Sequence, residues 1–184
     1  ANSEAPLSKL RKMILSKNTE ERVAALNDLM PYVIDVTKGT MKVMDGKSVT
    51  FRLLDPPLHE FVPQGEEKQK ELAEELGITV EAVQKRGEGL HEVNPMMGHR
   101  GVRLGISYPE VSEMQFRAIF TATAQLMKEG FDPRPEIMIP VTISVNELDF
   151  QKKILDRVHA EVEAEFGLKI NYLYGTMIEI PRAA

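Results

Sequence analysis

Short apolar runs alternate with longer amphipathic patterns along this chain, and this alternation restricts the fold more than any other feature. Candidate strands lie around Arg52, Val102, Met138 and Ile178, and helical patterns separate them. Strands that alternate with helices predict a parallel sheet joined by crossover helices. A closed (β/α)₈ barrel needs eight strands and typically about 250 residues. The sequence therefore predicts an α/β protein with about four parallel strands, as an open sheet or as part of a barrel.

The second quarter of the chain carries two charged helical patterns between candidate strands. The first pattern covers residues 66–76 and stops at Gly77, and the second follows Thr79, a good N-cap residue. We expect residues from about 64 to 93 to form a helical excursion from the sheet. No repeat, low-complexity segment or linker composition interrupts the chain, so residues 1–184 are predicted to be one domain segment.

Charge and composition exclude several classes of function. The net charge is −5, and 23 basic residues are scattered among 28 acidic ones without a basic stripe, so nucleic acid is not expected as a partner. No apolar run approaches the roughly 18 to 20 residues that span a bilayer, and we expect a cytoplasmic protein without membrane contact. The absence of cysteine excludes disulfides, thiolate metal sites and a cysteine nucleophile within this sequence.

Arg52 lies where a predicted strand must stop. Residues 49–54 are mostly apolar or β-branched, and Pro56 and Pro57 follow directly after Asp55. Neither proline can donate a hydrogen bond to a sheet ladder, so the strand is expected to end near Arg52. Ligands of α/β proteins bind at the carboxyl ends of strands. Arg52 is therefore a candidate ligand-binding cation, and the alternative is a local ion pair with Asp55.

Arg100 and Arg103 form a second candidate group in a segment rich in glycine, residues 94–106. Guanidinium groups match the geometry of phosphate and carboxylate, and glycines allow the backbone to approach a ligand closely. The pattern indicates an anion site, and an ordinary surface loop is the alternative.

Glu179 is the third candidate, on a predicted final strand of residues 172–180. Its side chain would project opposite Ile178 and Ile180, just before Pro181 ends the strand. Mg²⁺ takes oxygen ligands and often uses one or two carboxylates together with substrate oxygens. A solvated glutamate at a strand end is the alternative. The four histidines show no metal-ligand spacing, and no phosphate-binding loop motif is present.

Four stretches together resemble the phosphoenolpyruvate-utilising enzymes. The string LLDPPLHEF at residues 53–61 is similar to the dikinase branch of that family rather than to phosphotransferase-system Enzyme I or phosphoenolpyruvate synthase. The stretches are residues 49–61, 94–105, 134–140 and 175–184.

The resemblance implies a segment of a phosphoenolpyruvate/pyruvate-binding (β/α)₈ barrel that exchanges a phosphoryl group with a histidine on a separate domain. In the intact, homodimeric enzyme, ATP, pyruvate and phosphate would be interconverted with AMP, phosphoenolpyruvate and diphosphate. By the same resemblance Arg52 and Arg100 would grip the substrate phosphate, with Arg103 as the alternative occupant of the second role, and Glu179 would bind Mg²⁺.

The departures from the family pattern imply an incomplete barrel. The family's upstream Arg-Thr-Glu-His strand, its downstream Gly-Thr-Asn-Asp strand with the second metal ligand, its acid cysteine and its phosphohistidine have no counterpart in this sequence. Both ends also look cut from a longer chain. We therefore expect a fragment with about half of a barrel, without catalytic residues of its own and inactive alone. A non-catalytic binding or interaction module derived from the same barrel is the alternative.

Overall fold

The computed structural model describes residues 4–55, 65–89, 94 and 97–184, and the chain divides into two compact units. The helical unit comprises Ala1–Leu29 and Pro56–Arg100, and the sheet unit comprises Met30–Asp55 and Gly101–Ala184. Residue 64 and residues 90–93 of the predicted excursion lie outside the described residues, as do Pro56 and Pro57.

The helical unit is built from α1 (Glu4–Leu15), the first part of α2 (Thr19–Val43), α3 (Glu66–Leu76) and α4 (Val80–Gly89). The predicted boundaries between α3 and α4 are confirmed. Gly77 ends α3 in a left-handed conformation, with φ 66°, and the Thr79 hydroxyl accepts the Ala82 amide at 3.2 Å at the start of α4. A small apolar core of α1, α3 and α4 side chains holds this unit together: Leu15, Leu72, Ala73 and Val83.

The sheet unit contains three parallel strands in the order β1–β2–β3. They are β1 (Ser48–Arg52), β2 (Arg134–Ile139) and β3 (Leu173–Thr176). The register pairs Arg52 with Met138 and Ile139 with Thr176, so the carboxyl ends of all three strands meet at one edge of the sheet. The α/β class and the parallel strands predicted from the sequence are confirmed.

Helices cover one face of this sheet. They are α5 (Val102–Ser107), α6 (Pro109–Lys128) and α7 (Val145–Phe166). Side chains of β2 alternate, because successive strand residues point to opposite faces: Ile137 and Ile139 are buried in the core, whereas Glu136 and Met138 are half-buried on the other face. The core packs the sheet against α6 and α7 through Phe116, Phe120, Ile137, Ile139, Leu155 and Val158.

The predicted strand around Val102 was wrong, and the segment forms helix α5 instead. The Gly105 amide donates to the Gly101 carbonyl at 3.2 Å, and the Tyr108 amide donates to the Leu104 carbonyl at 2.8 Å. Apolar residues at every second position suggested a strand. The glycines that flank them favour a tight turn against the sheet, so the segment buries its apolar side chains within a short helix.

The final strand is shorter than predicted, and Glu179 lies beyond it. The ladder ends where the Met177 amide donates to the Ile139 carbonyl at 3.1 Å. Val141 would be the next residue to donate toward β3, but it has a positive φ and its amide donates to the Glu179 side chain, so residues 178–180 have no ladder to join. Ile178, expected on an apolar strand face, is 64% exposed.

Candidate functional site

Arg52 is the last residue of β1, at the carboxyl edge of the sheet, as predicted. Its side chain is exposed. The next two amides anchor the strand exit: Leu53 donates to the Met138 carbonyl at 3.0 Å, and Leu54 donates to the Gln115 side-chain oxygen at 2.5 Å. Within the described part of the chain no ion pair joins Arg52 to Asp55. The exit geometry therefore leaves the guanidinium facing solvent at the edge where parallel sheets bind ligands.

The start of α5 packs directly on the exit of β2. The Val102 amide donates to the Pro140 carbonyl at 3.0 Å. Gly101 has φ +55°, and a Cβ at this position would lie 2.7 Å from Val141 Cγ2 and 2.9 Å from the Pro140 oxygen. Only glycine fits there without displacing the backbone. Gly101 thus allows α5 to pack closely on the exit of β2, and the close approach of this backbone to an anionic ligand stays a prediction.

Arg103 is carried to the same edge by this contact. Val102 belongs to the same buried cluster as Leu53 and Ile139, and Arg103 follows it as a half-buried residue of α5. Because Leu53 follows Arg52 directly, the segments bearing the two arginines meet at the carboxyl ends of β1 and β2.

Glu179 lies at the same carboxyl edge, in the segment that follows β3, the outer strand opposite β1. Its Oε1 accepts the backbone amide of Val141 at 2.7 Å, and the residue is exposed. The exit of β2 is also tied to the end of β3, since the Thr176 hydroxyl lies 2.8 Å from both the Ile139 carbonyl oxygen and the Thr142 hydroxyl oxygen. The Val141 amide therefore contacts the Glu179 carboxylate directly, and the threonine hydrogen bonds hold the two strand exits together around it.

At this edge the Glu179 carboxylate is the group that could bind a hard cation such as Mg²⁺. The described residues contain no group of three or more histidine, aspartate or glutamate side chains able to hold a metal ion. Mg²⁺ nonetheless binds proteins through as few as one or two carboxylates and completes its shell with water and substrate oxygens. Oε1 of Glu179 accepts the Val141 amide, so the other carboxylate oxygen, Oε2, is the one suited to a cation.

Arg100 belongs to the other compact unit, of which it is the last residue. It is half-buried, and its amide donates to the Gly98 carbonyl at 3.0 Å. The structure thus brings Arg52, Arg103 and Glu179 to one edge of the sheet unit and describes Arg100 within the helical unit.

Two residues that the sequence did not single out help to build this edge. Gln115 on α6 accepts the Leu54 amide and donates to the Val111 carbonyl at 3.1 Å. Val141 adopts a left-handed conformation with φ 63°. A polar residue on an otherwise apolar helix face was a signal for Gln115. Nothing in the sequence signals Val141, because branched side chains disfavour that conformation.

A wide cavity of about 590 Å³ lies at the opposite, amino edge of the sheet. Its lining includes Phe131, Arg134 and Tyr172. The Arg134 guanidinium is already paired with Asp132 at 2.6 Å, and hydrogen bonding and attraction from that carboxylate raise the pKa of Arg134. Size alone does not make this cavity the functional site, since ligands of parallel sheets bind at the carboxyl edge.

Among the described helices none is long and apolar enough to cross a membrane.

Known proteins with similar sequences cover nearly all of this chain. Residues 12–184 match the family model described as PEP-utilising enzyme, PEP-binding domain. The chain is 51% identical over 174 residues to pyruvate, phosphate dikinase of Giardia intestinalis, and the match covers 95% of this chain and 20% of that protein. It is 49% identical over 179 residues to the Clostridium symbiosum enzyme of the same name, covering 97% of this chain and 20% of that protein.

A plant relative gives the same result. The chain is 51% identical over 177 residues to chloroplastic pyruvate, phosphate dikinase 1 of Arabidopsis thaliana, covering 95% of this chain and 18% of that protein. The chain therefore spans about a fifth of the length of the curated relatives that it matches.

Proposed function

Because the chain belongs to the family of PEP-utilising enzymes and matches its PEP-binding domain, we propose that it is part of a pyruvate, phosphate dikinase. The single observation that carries this proposal is the identity of about half over 95% or more of the chain to three enzymes of that name. The intact enzyme interconverts ATP, pyruvate and phosphate with AMP, phosphoenolpyruvate and diphosphate through a phosphohistidine. This segment supplies one side of the phosphoenolpyruvate/pyruvate site.

The two compact units are both parts of one segment of the barrel domain in this proposal. The three parallel strands are consecutive strands of a (β/α)₈ barrel, and the helices over one face are the helices that connect them. Helices α3 and α4 form the excursion from this barrel. The half-buried opposite face of β2, with Glu136 and Met138, is the side that turns toward the barrel interior. The phosphohistidine domain and the second subunit of a cytoplasmic homodimer are the partners of the intact enzyme.

Arg52 is the residue on which phosphate binding chiefly depends. Its guanidinium is exposed, and the backbone that follows it is anchored by the Leu53 amide on the Met138 carbonyl and the Leu54 amide on the Gln115 side chain. A guanidinium donates two parallel hydrogen bonds to a phosphate and keeps its charge at every physiological pH. Arg100 is the second phosphate-binding arginine, and Arg103 is the alternative occupant of that role.

Glu179 is the ligand that this chain would supply to Mg²⁺. Its carboxylate is exposed and anchored through one oxygen by the Val141 amide, which supports a fixed oxygen ligand at the carboxyl edge of the sheet. When bound, Mg²⁺ would neutralise charge that develops on the phosphoryl group and on the enolate. The arginines act in the same direction, since phosphoryl transfer is catalysed mainly by positioning and by electrostatic stabilisation.

The chain alone is proposed to bind ligand without turning it over. No cysteine is present to protonate an enolate, and the phosphohistidine is supplied by another part of the intact enzyme. A measurable release of pyruvate from phosphoenolpyruvate by the 184-residue chain would contradict this expectation.

Calorimetric titration of phosphoenolpyruvate in the presence of Mg²⁺ tests the binding proposal. Arg52→Ala is expected to weaken binding about 10- to 100-fold, because a charge-assisted hydrogen bond contributes about 1.5 to 3 kcal/mol. Arg134→Ala is the matched control, since it removes an exposed arginine at the amino edge of the same sheet. Equal binding by wild type and Arg52→Ala would refute the role of Arg52. Binding without any turnover in the assembled enzyme would favour the non-catalytic module instead.

A further inference from the structure

Val141 is the one non-glycine residue with a positive φ among the described residues, at 63°. Branched side chains are the least tolerant of this conformation, because their Cγ atoms crowd the backbone. Such outliers persist where the surrounding structure over-determines them, and they cluster at functional sites.

The surrounding structure does over-determine Val141. Its side chain is 4% exposed and lies against Gly101, where any larger residue would collide with it. On one side the Val102 amide binds the Pro140 carbonyl at 3.0 Å. On the other side the hydroxyl of Thr142, a buried residue, is hydrogen-bonded to the Thr176 hydroxyl at 2.8 Å. The chain is thus fixed immediately before and immediately after residue 141.

The left-handed turn determines where the Val141 amide points. The angle φ is the rotation about the N–Cα bond, so it sets the direction of the N–H relative to the chain that follows. With Thr142 held by Thr176, the observed φ directs that N–H to Oε1 of Glu179 at 2.7 Å. This is the short distance expected of a hydrogen bond to a charged acceptor.

We propose that Val141 is a positioning residue whose left-handed turn holds one oxygen of Glu179, so that the other oxygen is presented to a divalent cation. The inference rests on the proposed role of Glu179 as the Mg²⁺ ligand. Pre-oriented ligands bind metal more tightly because less side-chain freedom is lost on binding. The strained residue thereby converts a flexible, exposed glutamate into a fixed one.

Amide hydrogen exchange at Val141 tests the contact without any metal. Glu179→Gln keeps a side-chain oxygen that can accept the amide, whereas Glu179→Ala removes the acceptor. Protection of the Val141 amide is expected to fall about tenfold or more in Glu179→Ala and to change only a few-fold in Glu179→Gln. Equal protection in wild type and Glu179→Ala would overturn the proposal. Both substitutions are at an exposed position, so the fold is expected to survive them.

Titration with Mn²⁺ alone, followed by its paramagnetic effect on water relaxation, tests the positioning role. Val141→Gly keeps the backbone amide and the ligand but frees the turn, and it is expected to weaken Mn²⁺ binding about fivefold. Val145→Gly makes the same chemical change at a 71% exposed residue and should leave the affinity unchanged. Unchanged affinity in folded Val141→Gly refutes positioning.

The two proposals fail in different ways. A wild-type chain that binds no Mn²⁺, with Val141 protection still dependent on Glu179, contradicts the metal role and with it the inference that Val141 serves a metal ligand. Should Val141→Gly not fold, the Glu179→Asp variant replaces it, since its shorter side chain cannot span the same distance to the amide. If Glu179→Asp loses both Mn²⁺ binding and the protection of the Val141 amide, positioning is supported. If it retains both, positioning is refuted.

Discussion

Replacing Gly101 with alanine is the sharpest test of how the carboxyl edge is built. The new Cβ would lie 2.7 Å from Val141 Cγ2 and 2.9 Å from the Pro140 carbonyl oxygen, and the residue would keep φ +55°. The left-handed conformation costs a non-glycine residue about 1 to 2 kcal/mol. Overpacking against backbone that cannot rotate away costs about 1 to 3 kcal/mol more. Gly101→Ala is therefore expected to lower the free energy of unfolding by about 2 to 5 kcal/mol.

Urea denaturation followed by tyrosine near-ultraviolet circular dichroism is the appropriate assay. All four tyrosines of the chain lie in the sheet unit, so this signal reports on that unit alone. They are Tyr32, Tyr108, Tyr172 and Tyr174. With a urea m-value of about 2 kcal/mol per M, the midpoint should fall by about 1 to 2.5 M.

Gly39→Ala is the matched control within the same unit. Gly39 is an exposed residue inside α2, and a Cβ there would meet nothing within 4 Å. Alanine is the better helix former, so this variant is expected to be more stable by about 0.5 to 1 kcal/mol. A Gly101→Ala variant that stays within about 0.5 kcal/mol of wild type, well below the usual cost of overpacking, would refute the close packing of α5 on the exit of β2.

Two pH-dependent predictions concern contacts that α7 makes with the loop after it and with β3. The Glu163 carboxylate accepts the Ile170 amide at 2.7 Å, and this bond, with help from Lys169, lowers the pKa of Glu163. Its stabilisation is present above the ordinary glutamate pKa and is lost as the pH falls, so the deficit in urea midpoint of Glu163→Gln should shrink below about pH 4. Burial raises the pKa of Tyr174, whose hydroxyl donates to the Leu148 carbonyl at 2.9 Å. That stabilisation is present below the unfolded pKa near 10 and is lost above it, and Tyr174→Phe should lose less stability than wild type between about pH 9 and 11.

The class of fold was readable from the sequence because it depends on local patterns. Glycine and threonine at the ends of α3 and α4 act within one turn of the chain, and both boundaries agree with the structure. The end of β1 at Arg52 was also predictable, since the prolines that follow cannot extend a ladder. The same local logic failed at Val102, where apolar residues at alternate positions occur in a short helix. Its burial pattern comes from the sheet and α6 rather than from the chain's own period.

The candidate site divides in the same way. Arg52 and Glu179 were identified by residue type and by position near strand ends, and the resemblance supplied their expected partners. The placement of Glu179 on a strand was wrong, because the length of β3 is set by where its neighbour stops. Pro140 and the turned Val141 end that neighbour after Ile139. Such a limit is a property of the pair of strands and is not encoded within residues 172–180.

The sequence by itself determined which chemistry this chain carries: guanidinium groups, the Glu179 carboxylate, no thiol, and the alternation that produces a parallel sheet. Only the tertiary structure decided how these groups are held. The left-handed turn at Val141, the matching glycine at position 101 and the amide that holds Glu179 join segments 38 or more residues apart. A valine with positive φ is locally unfavourable, and it exists because contacts between distant parts of the chain compensate for its cost. No local sequence pattern can therefore predict it.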